Sequence, residues 1–252
     1  MTPRLFVDEA GALSPGAALS LPEGAARHAQ VLRLQPGDAL VLFTGDGMEW
    51  SAQVAQMGRK DVSVVLGDPM VAERELTVPV TLAIGMPAND RMDALVEKAT
   101  ELGAQAIQPL VCSRSVLRPD GERAVKKVAH WRAVAIAAGE QSGRTRIPVI
   151  HPVMPIKAWL DGMAGQPGPR AVLSFDPEQA MLPWLGDAEN LKLRAATQGL
   201  CFLSGPEGGL APEEEALARQ TGWTAVGLGP RVLRADTAPL MALSLVAGLL
   251  QA

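Results

Sequence analysis

The sequence contains few of the residues that build covalent or metal-based scaffolds. Among its 252 residues are two cysteines, Cys112 and Cys201, which are too few for a disulfide framework or a thiolate zinc site. The three histidines, His28, His130 and His151, lack the spacing of metal ligands. We therefore expect no metal centre, and we expect both cysteines to be small core hydrophobes.

Long hydrophobic runs are also missing. The longest near the C-terminus, 238–250, is interrupted by one serine and is too short to span a bilayer. At the other end, Asp8 and Glu9 follow too soon for a signal-peptide core to form. These two absences predict a soluble, cytoplasmic protein without a membrane partner.

Three common catalytic motifs are absent as well. The chain has no phosphate-binding loop ending in Gly-Lys-Ser/Thr and no Gly-x-Gly-x-x-Gly turn after its first strand. It also has no Gly-x-Ser-x-Gly nucleophile elbow. P-loop nucleotide chemistry, Rossmann dinucleotide binding and serine-hydrolase chemistry are therefore excluded.

What the sequence does contain is an ordinary globular composition, with 48% hydrophobic and 20% charged residues and a net charge of −4. The charge is unevenly distributed. Between Arg114 and Arg146, eight Lys and Arg residues stand against three acids, a net charge of +5, while the rest of the chain carries −9. A basic segment on an acidic protein can bind phosphates, although a solvated helix face is the alternative interpretation.

The hydrophobic pattern divides the chain into two domains. Residues 1–72 contain short apolar runs separated by Gly- and Pro-containing turns, a pattern typical of a small β-barrel, with one short helix predicted over 23–34. Residues 73–252 alternate strands and helices and predict an α/β domain with a mainly parallel sheet. The strands are predicted at 80–84, 106–111, 171–175, 200–203 and 225–228, and the helices at 92–102, 122–141 and from Pro212 onward.

Two loops of the second domain carry the residues suited to chemistry. Leu203–Leu210 runs from a buried strand through Gly-Pro-Glu-Gly-Gly towards a helix, so its backbone amides can approach an anionic ligand. Gly227–Ala238 places Arg231 and Arg234 in a Gly-Pro loop, a setting that favours contact with an anion or a developing negative charge. Ligands of open α/β sheets bind beyond the carboxyl ends of the strands, so the two loops are predicted to form one pocket floor. A tight turn without a ligand is the alternative for the first loop alone.

The motifs in these loops resemble those of one family. They are Gly-Pro-Glu-Gly-Gly at 205–209, Leu-Gly-Pro-Arg-Val-Leu-Arg at 228–234 and Asp-Thr-Ala at 236–238, together with the segments 90–103 and 140–144. The combination resembles the RsmE family, 16S ribosomal RNA (uracil-N-3)-methyltransferases of the SPOUT superfamily, over nearly the whole chain. The resemblance implies a PUA-like β-barrel over 1–72 and a SPOUT-type α/β domain with a deep trefoil knot over 73–252. It also implies S-adenosylmethionine as cofactor, 16S rRNA in the small ribosomal subunit as partner, and a homodimer.

The resemblance implies site residues of two kinds. The cofactor would be held by backbone hydrogen bonds and apolar walls from Leu173, Ser174, Ser204, Gly205, Pro206, Glu207, Gly208, Leu228, Gly229, Val232, Leu233, Thr237 and Ala238. For Thr237, capping the last helix is the alternative role. RNA would be contacted by Arg4, Arg27, Arg33, Arg114, Arg118, Lys126, Lys127, Gln141, Arg144 and Arg146. For Gln141 and Arg144, a polar helix C-terminus is the alternative interpretation.

The implied chemistry assigns roles to three further groups. Methylation of uracil at N3 requires loss of a proton, which leaves negative charge on the two carbonyl oxygens. A fixed cation favours that anion, a role for Arg231 or Arg234, while the other arginine holds an RNA phosphate or the cofactor carboxylate. Asp236 and Glu207 are candidate general bases beside bulk water, and for Glu207 a hydrogen bond to loop amides is the preferred alternative.

The chain departs from the family pattern at two points. The family usually has Arg-Thr-Glu-Thr-Ala where this chain has Arg-Ala-Asp-Thr-Ala at 234–238, so the acid is one methylene shorter. Ala211 stands where a Ser often precedes Pro-Glu-Glu, and losing that helix cap costs about 1 kcal/mol. Two rival interpretations are a non-catalytic RNA-binding or ribosome-assembly protein of the same fold, and an unrelated anion-binding α/β enzyme without affinity for S-adenosylmethionine.

Overall fold

A computed structural model describes residues 2–8, 13–59, 61–195 and 198–251 of the protein. The chain forms two compact units. The first comprises residues 1–75 together with 136–147, and the second comprises 76–135 together with 148–252. The domain boundary predicted between residues 72 and 73 lies close to residue 75, where the first segment of the first unit ends. No sequence pattern predicted that residues 136–147 also belong to the first unit.

The first unit is built from five strands and a short helix. These are β1 (Arg4–Phe6), β2 (Ala18–Ser20), α1 (Glu23–Val31), β3 (Ala39–Phe43), β4 (Met48–Met57) and β5 (Val62–Val71). The sheet order is β1-β3-β4-β5-β2, with β1 parallel to β3 and the other neighbours antiparallel.

Alternating apolar residues give this sheet one buried face. Leu40 and Leu42 of β3 and Val62 and Val64 of β5 are at most 1% exposed and pack in one cluster with the alanines of α1. β4 carries two register shifts against β5, which bend a strand and allow a small sheet to wrap its core. Strands and helix thus surround a single core, the arrangement of the predicted small barrel.

The second unit is built on a parallel sheet. Its strands are β6 (Val80–Gly85), β7 (Ala106–Val111), β8 (Val149–Ile150), β9 (Met154–Pro155), β10 (Arg170–Leu173), β11 (Gln179–Ala180), β12 (Leu200–Ser204) and β13 (Thr224–Gly227). The helices are α2 (Asn89–Glu101), α3 (Gly121–Ser142), α4 (Ile156–Met163), α5 (Met181–Leu185), α6 (Ala188–Ala195), α7 (Pro212–Gln220) and α8 (Thr237–Gln251), of which α3 ends in the first unit. The strand order is β11-β13-β10-β12-β6-β7-β8, with β9 also paired to β7, and the α/β prediction is confirmed.

The order of the central strands decides where a site can form. Leu82 of β6, Val172 of β10 and Phe202 of β12 are fully buried, as expected for strands covered on both faces. β10 lies between β12 and β13, and all three run parallel. The loops that follow them, at 174–178, 205–211 and 228–236, therefore leave the sheet at the same edge.

The last helix returns from β13 towards the middle of the sheet. α8 packs on β6, β12 and α2 and buries Ala242, Leu243 and Val246. The implied trefoil knot depends on how this return is threaded, and it stays a prediction of the family resemblance. No helix in the described ranges is both long enough and apolar enough to cross a membrane.

Sequence patterns located the long elements better than the short ones. β7 has the predicted bounds, and α7 begins at Pro212 as expected. Strand β10 ends at Leu173, two residues before the predicted end, although the Ser174 amide still donates a hydrogen bond to the Val226 carbonyl of β13. The two-residue strands β8, β9 and β11 and the helices α4, α5 and α6 were not predicted, since segments this short carry little periodicity.

Candidate active site

A first cavity, about 360 Å³ in volume, opens beyond the ends of β10 and β13. Its walls are mostly apolar, and Arg231 brings positive charge to them. Pockets of this size and character accommodate small organic ligands. The predicted cofactor residues on its walls are Leu173, Ser174, Leu228, Gly229, Val232, Leu233 and Ala238.

A second cavity of about 400 Å³ lies beside the first, beyond β12. It is more polar, with Arg91, Arg114, Arg234, Glu207 and Glu215 on its walls. The predicted cofactor residues that line it are Ser204, Gly205, Pro206, Glu207 and Gly208. The residues common to both cavities are Leu173, Phe175, Val232, Leu233 and Ala238. The two loops singled out in the sequence thus do meet at one site, which has an apolar and a charged compartment.

Two glycines are required by the loop backbones. A Cβ on Gly205 would lie 2.5 Å from the Leu210 amide nitrogen, so another residue would force this loop apart. Gly229 has φ +100°, a conformation that favours glycine. No atom lies within 4 Å of the position of a Cβ on Gly229, so this part of the loop borders open space at the first cavity.

Glu207 is anchored by the start of α2. Its Oε1 accepts a hydrogen bond of 2.9 Å from the Ala88 amide, at the N-cap position of the helix, where the helix dipole favours a carboxylate. The same oxygen lies 3.8 Å from Nη1 of Arg91. The preferred expectation for Glu207, a hydrogen bond to a backbone amide, is what the structure shows, although the donor lies far away in the sequence. Arg91 was quoted within a family segment but was not predicted as a site residue.

Arg114 holds the glycine-rich loop, residues 205–209, through hydrogen bonds to backbone carbonyl groups. Its Nη1 donates hydrogen bonds to the carbonyl oxygens of Gly208 at 2.8 Å and Leu210 at 3.2 Å. The guanidinium expected to contact an RNA phosphate is therefore engaged in holding the wall of the second cavity.

A buried glutamate, Glu214, forms one half of a capping box at the start of α7. Glu214 accepts a hydrogen bond of 2.9 Å from the amide of Ala211, which has no capping side chain of its own. Its other oxygen accepts bonds from the amide and hydroxyl of Ser113 at 2.7 and 3.0 Å. This bond satisfies the Ala211 amide and not the first amides of the helix, so the loss predicted for Ala211 stays a prediction. Glu214 also ties α7 to the segment that carries Arg114.

The loop after β10 is held by a second network. Ser174 Oγ donates to Glu215 Oε1 at 2.5 Å and accepts the amide of Asp176 at 2.9 Å. Arg219 donates to the same Glu215 oxygen at 2.9 Å and to the Asp176 carbonyl at 2.6 Å. This network positions Phe175, which is 76% exposed and lines both cavities. Phe175 is the last residue of the strand predicted over 171–175, at the sheet edge where a ligand was expected to bind.

The predicted catalytic residues fall into different places. Arg231 and Arg234 are both exposed, the first on the wall of the first cavity and the second on the wall of the second. Asp236 and Thr237 line neither cavity. One carboxylate oxygen of Asp236 is buried and has no hydrogen-bond partner among the described residues. Thr237 is exposed and is the first residue of α8, and both of its roles stay predictions.

The cations of the first unit are largely engaged in internal contacts. Arg4 pairs with Glu49, and Arg144, which is 5% exposed, pairs with Glu75. The side chain of Arg146 reaches the Asp46 carbonyl at 3.1 Å. Arg4 and Arg144 therefore do not fit the predicted role of contacting RNA phosphates, because each guanidinium is held in an ion pair inside the unit. The predicted RNA contacts on exposed positions of this unit are Arg27, Arg33, Gln141 and Arg146.

Two buried carboxylates of this unit have pKa values shifted in opposite directions. Burial acts to raise the pKa of Glu49, but hydrogen bonds from Arg74 and Arg4 outweigh it, and the pKa lies below the ordinary 4.5. Burial raises the pKa of Glu140, and the bonds from the Phe6 amide and His28, both 2.8 Å, offset this only in part. Two guanidinium partners thus stabilise a buried carboxylate more than one imidazole does.

A basic groove of about 520 Å³ lies at the start of α3 in the second unit. The predicted RNA contacts Arg118, Lys126 and Lys127 line it, joined by Arg123 and His130 one helical turn to either side. His130 is oriented by Asp93, whose Oδ2 lies 2.8 Å from its Nε2. No group of three or more potential metal ligands was found in the described ranges.

The loops leave hydrogen-bonding groups open to a ligand. In the described part of the chain, no protein acceptor binds the amide N–H of Leu228, Gly229 or any residue of 231–234. Ser204 Oγ is buried, lines the second cavity and also lacks a partner there. Buried polar groups are normally paired. Open amides beside an apolar cavity fit a ligand that combines a purine with polar substituents, as S-adenosylmethionine does.

The chain matches known families over both of its units. Residues 74–247 match the RNA methyltransferase domain family, and residues 21–67 match the RNA methyltransferase PUA domain family. The ribosomal RNA small subunit methyltransferase E of Bacillus subtilis is 33% identical over 86% of this chain and 84% of its own length. The protein of that name from Mycobacterium bovis is 35% identical over 86% of this chain and 81% of its own length.

A solved structure shares the fold over nearly the whole chain. It is the ribosomal RNA small subunit methyltransferase E of Neisseria gonorrhoeae, determined with S-adenosylmethionine bound. The two chains superpose with a TM-score of 0.85 at 30% identity, over 99% of this chain and 98% of the other.

Proposed function

Because the chain belongs to the RNA methyltransferase family, we propose that it uses S-adenosylmethionine to methylate N3 of a uridine in the 16S rRNA of the small ribosomal subunit. We propose further that it acts in the cytoplasm, where its relatives' substrate is assembled. The observation that carries the proposal is the paired site: an apolar cavity with open amides adjoins a cavity lined by arginines. A cofactor and a base that becomes an anion need these two environments side by side.

The first cavity supplies the cofactor site. The open amides of Leu228 and Gly229, with the apolar side chains of Leu173 and Val232, suit an adenine ring. When bound, S-adenosylmethionine supplies an electrophilic methyl group: as the N3–carbon bond forms, the carbon–sulfur bond breaks and its electron pair goes to the sulfur. The protein's contribution is to hold the reacting atoms in line and to stabilise charge.

The positions of the two loop arginines divide their roles. Arg234 lines the charged cavity and makes no ion pair among the described residues, so it is placed to stabilise the uracil anion. Arg231 lines the apolar cavity, which leaves it for the cofactor carboxylate or an RNA phosphate.

Neither candidate carboxylate is arranged as a general base. Glu207 is engaged with the Ala88 amide and lies near Arg91, and Asp236 lines neither cavity. We infer that the N3 proton leaves to water, and that the arginines make its loss possible near neutral pH by stabilising the anion.

RNA binding is assigned to the basic groove. Arg123 and Lys127 line it and make no ion pair within the described residues, and Lys126 lies 4.0 Å from its Glu122 partner in an exposed pair. Such cations position an RNA backbone through its phosphates and do not read its sequence.

A homodimer is proposed from α8. The helix has no charged residue, and its outward face carries exposed Ser244 and Gly248 beside half-buried Met241 and Leu245. Small residues flanked by apolar ones allow close helix approach. We expect Gly248→Arg to convert a dimer to a monomer in light scattering, whereas Lys126→Glu, on an exposed position of α3, should not.

The test of the function is methyl transfer from labelled S-adenosylmethionine to small ribosomal subunits that lack the modification. Nucleoside mass spectrometry should then detect 3-methyluridine, and an Arg234→Ala variant should not produce it. Cofactor binding without any transfer would indicate the non-catalytic RNA-binding alternative. Absence of cofactor binding would contradict the assignment of the first cavity.

A further inference from the structure

The chemistry of uracil sets a requirement that one arginine does not meet. The N3 proton lies between two carbonyl groups, at C2 and C4. When the proton leaves to water, the electron pair on N3 is delocalised onto both oxygens, one on either side of the reacting atom. A single guanidinium beside one oxygen stabilises half of this charge distribution. A site that deprotonates uracil efficiently needs a cationic donor on each side.

The charged cavity contains three arginines, and their contacts separate them. Arg114 is engaged with the carbonyl oxygens of Gly208 and Leu210, at 2.8 and 3.2 Å. Arg234 comes from the loop after β13. Arg91 comes from the first turn of α2, the helix that follows β6. In the strand order, β12 lies between β6 and β10, so the glycine-rich loop after β12 separates Arg91 from the loops that follow β10 and β13.

Arg91 is held at the cavity by an acid that is itself fixed. Its Nη1 lies 3.8 Å from Glu207 Oε1, and that oxygen accepts the Ala88 amide at 2.9 Å. The backbone amide of Arg91 in turn donates to the Ala88 carbonyl at 3.0 Å. The 3.8 Å separation is too long for a full hydrogen bond, so Glu207 orients the guanidinium and leaves its N–H groups available. The side chain is 36% exposed, which leaves it accessible from the cavity.

We propose that Arg91 is a second catalytic cation, which with Arg234 flanks the target uracil so that one guanidinium donates to each carbonyl oxygen. This inference rests on the proposed function. It also gives a reason for base selectivity: cytosine carries an amino group in place of the C4 carbonyl, so a guanidinium on that side would face a donor and lose its hydrogen bond.

The experiment compares Arg91→Gln and Arg91→Lys with the wild-type protein and with Lys98→Gln, a control on an exposed position of the same helix. Single-turnover methyl transfer to unmodified small subunits is measured with saturating S-adenosylmethionine, from about pH 6.5 to about pH 9.5. Cofactor affinity is measured separately by calorimetry. Thermal melting checks that each variant is folded.

We expect Arg91→Gln to reduce the rate at neutral pH by about 10²-fold, the scale of losing one donor to a developing anion. The deficit should shrink as the pH rises, because solution then deprotonates uracil without help from the cation. Arg91→Lys should be intermediate, since it keeps the charge and loses the planar fork. Lys98→Gln should match the wild type, and cofactor affinity should be unchanged throughout.

A deficit of Arg91→Gln that is equal at every pH, or one accompanied by weaker cofactor binding, would overturn the proposal and assign Arg91 to structure or to the cofactor. An unchanged rate would overturn it as well. If the wild-type protein formed no 3-methyluridine, the proposed function would fail first, and the two failures are therefore distinguishable.

Discussion

The two units use the same residue type for opposite purposes. In the first unit, Arg4 and Arg144 are nearly buried, and each pairs with a glutamate of its own unit. In the second unit, Arg231 and Arg234 are exposed on the walls of two cavities and make no ion pair among the described residues. The first pair of arginines contributes to folding, and the second pair is available to a ligand.

The difference teaches that an arginine's role follows from the acids that the fold brings to it. Arg144 and Arg146 belong to the most basic segment of the sequence, yet the fold places Glu75 beside the first and the Asp46 carbonyl beside the second. Arg231 and Arg234 lie in a loop where the chain supplies no such partner.

The largest effect is expected from Glu49→Ala in the first unit. The substitution leaves Arg4, whose side chain is 10% exposed, without its buried partner. Breaking a buried pair on one side costs about 3–5 kcal/mol, measurable by urea denaturation. Asp68→Asn, on an exposed position of the neighbouring strand β5, should change the free energy of unfolding by less than about 0.5 kcal/mol. A loss below about 1 kcal/mol for Glu49→Ala would mean that the pair is not what holds Arg4.

The counterpart in the second unit is Arg234→Ala. Removing a donor to a developing anion lowers the rate of methyl transfer by about 10²–10³-fold, or roughly 3–4 kcal/mol. Because Arg234 is exposed and has no protein ion pair in the described ranges, the melting temperature should stay within about 1–2 °C of the wild type. Arg59→Ala, an exposed arginine of the first unit, serves as the control and should leave the rate unchanged. An Arg234→Ala variant that is destabilised but fully active would contradict the assignment of Arg234 to the ligand and not to folding.

A smaller effect concerns pH. The pKa of Glu49 is lowered on folding, so its contribution to stability is present above about pH 4.5 and is lost as the pH falls through the folded value. The pKa of Glu140 is raised, so its contribution is present below about pH 4.5 and is lost as the pH rises. Stability measured against pH should therefore change slope in opposite directions in Glu49→Gln and Glu140→Gln. The same slope change in both variants would contradict the assigned shifts.

The smallest effect is expected in the salt dependence of RNA binding. Lys127→Ala, in the basic groove, should weaken binding and reduce the slope of log affinity against log salt by about one. Arg144→Ala should leave that slope unchanged and lower stability instead, because its guanidinium is in an ion pair with Glu75. A reduced slope for Arg144→Ala with unaltered stability would return Arg144 to the RNA interface.

Local pattern was sufficient for the framework of the site. The continuous apolar run of β6 identified a strand buried on both faces. Glycine and proline marked the loops at 205–209 and 228–234, because only certain backbones close such turns. Both signals depend on neighbours in the sequence, which is why they could be read without a structure.

Other features depend on residues that are distant in the sequence. Arg91 lies beside Glu207, which is 116 residues away in the sequence. This pairing depends on the order of β6 and β12 in the sheet. The division of Arg231 and Arg234 between two cavities depends in the same way on the loop after β10, which carries Phe175. The trefoil knot stays a prediction, since no local pattern specifies the threading of a chain.

The sequence by itself thus determined the two domain types, the parallel sheet and the two ligand loops, because propensity and periodicity act over a few residues. Only the tertiary structure decided which cations serve folding and which face a ligand. The physical reason is that a charge takes its role from the solvent and partners around it, and those are set by contacts between distant parts of the chain.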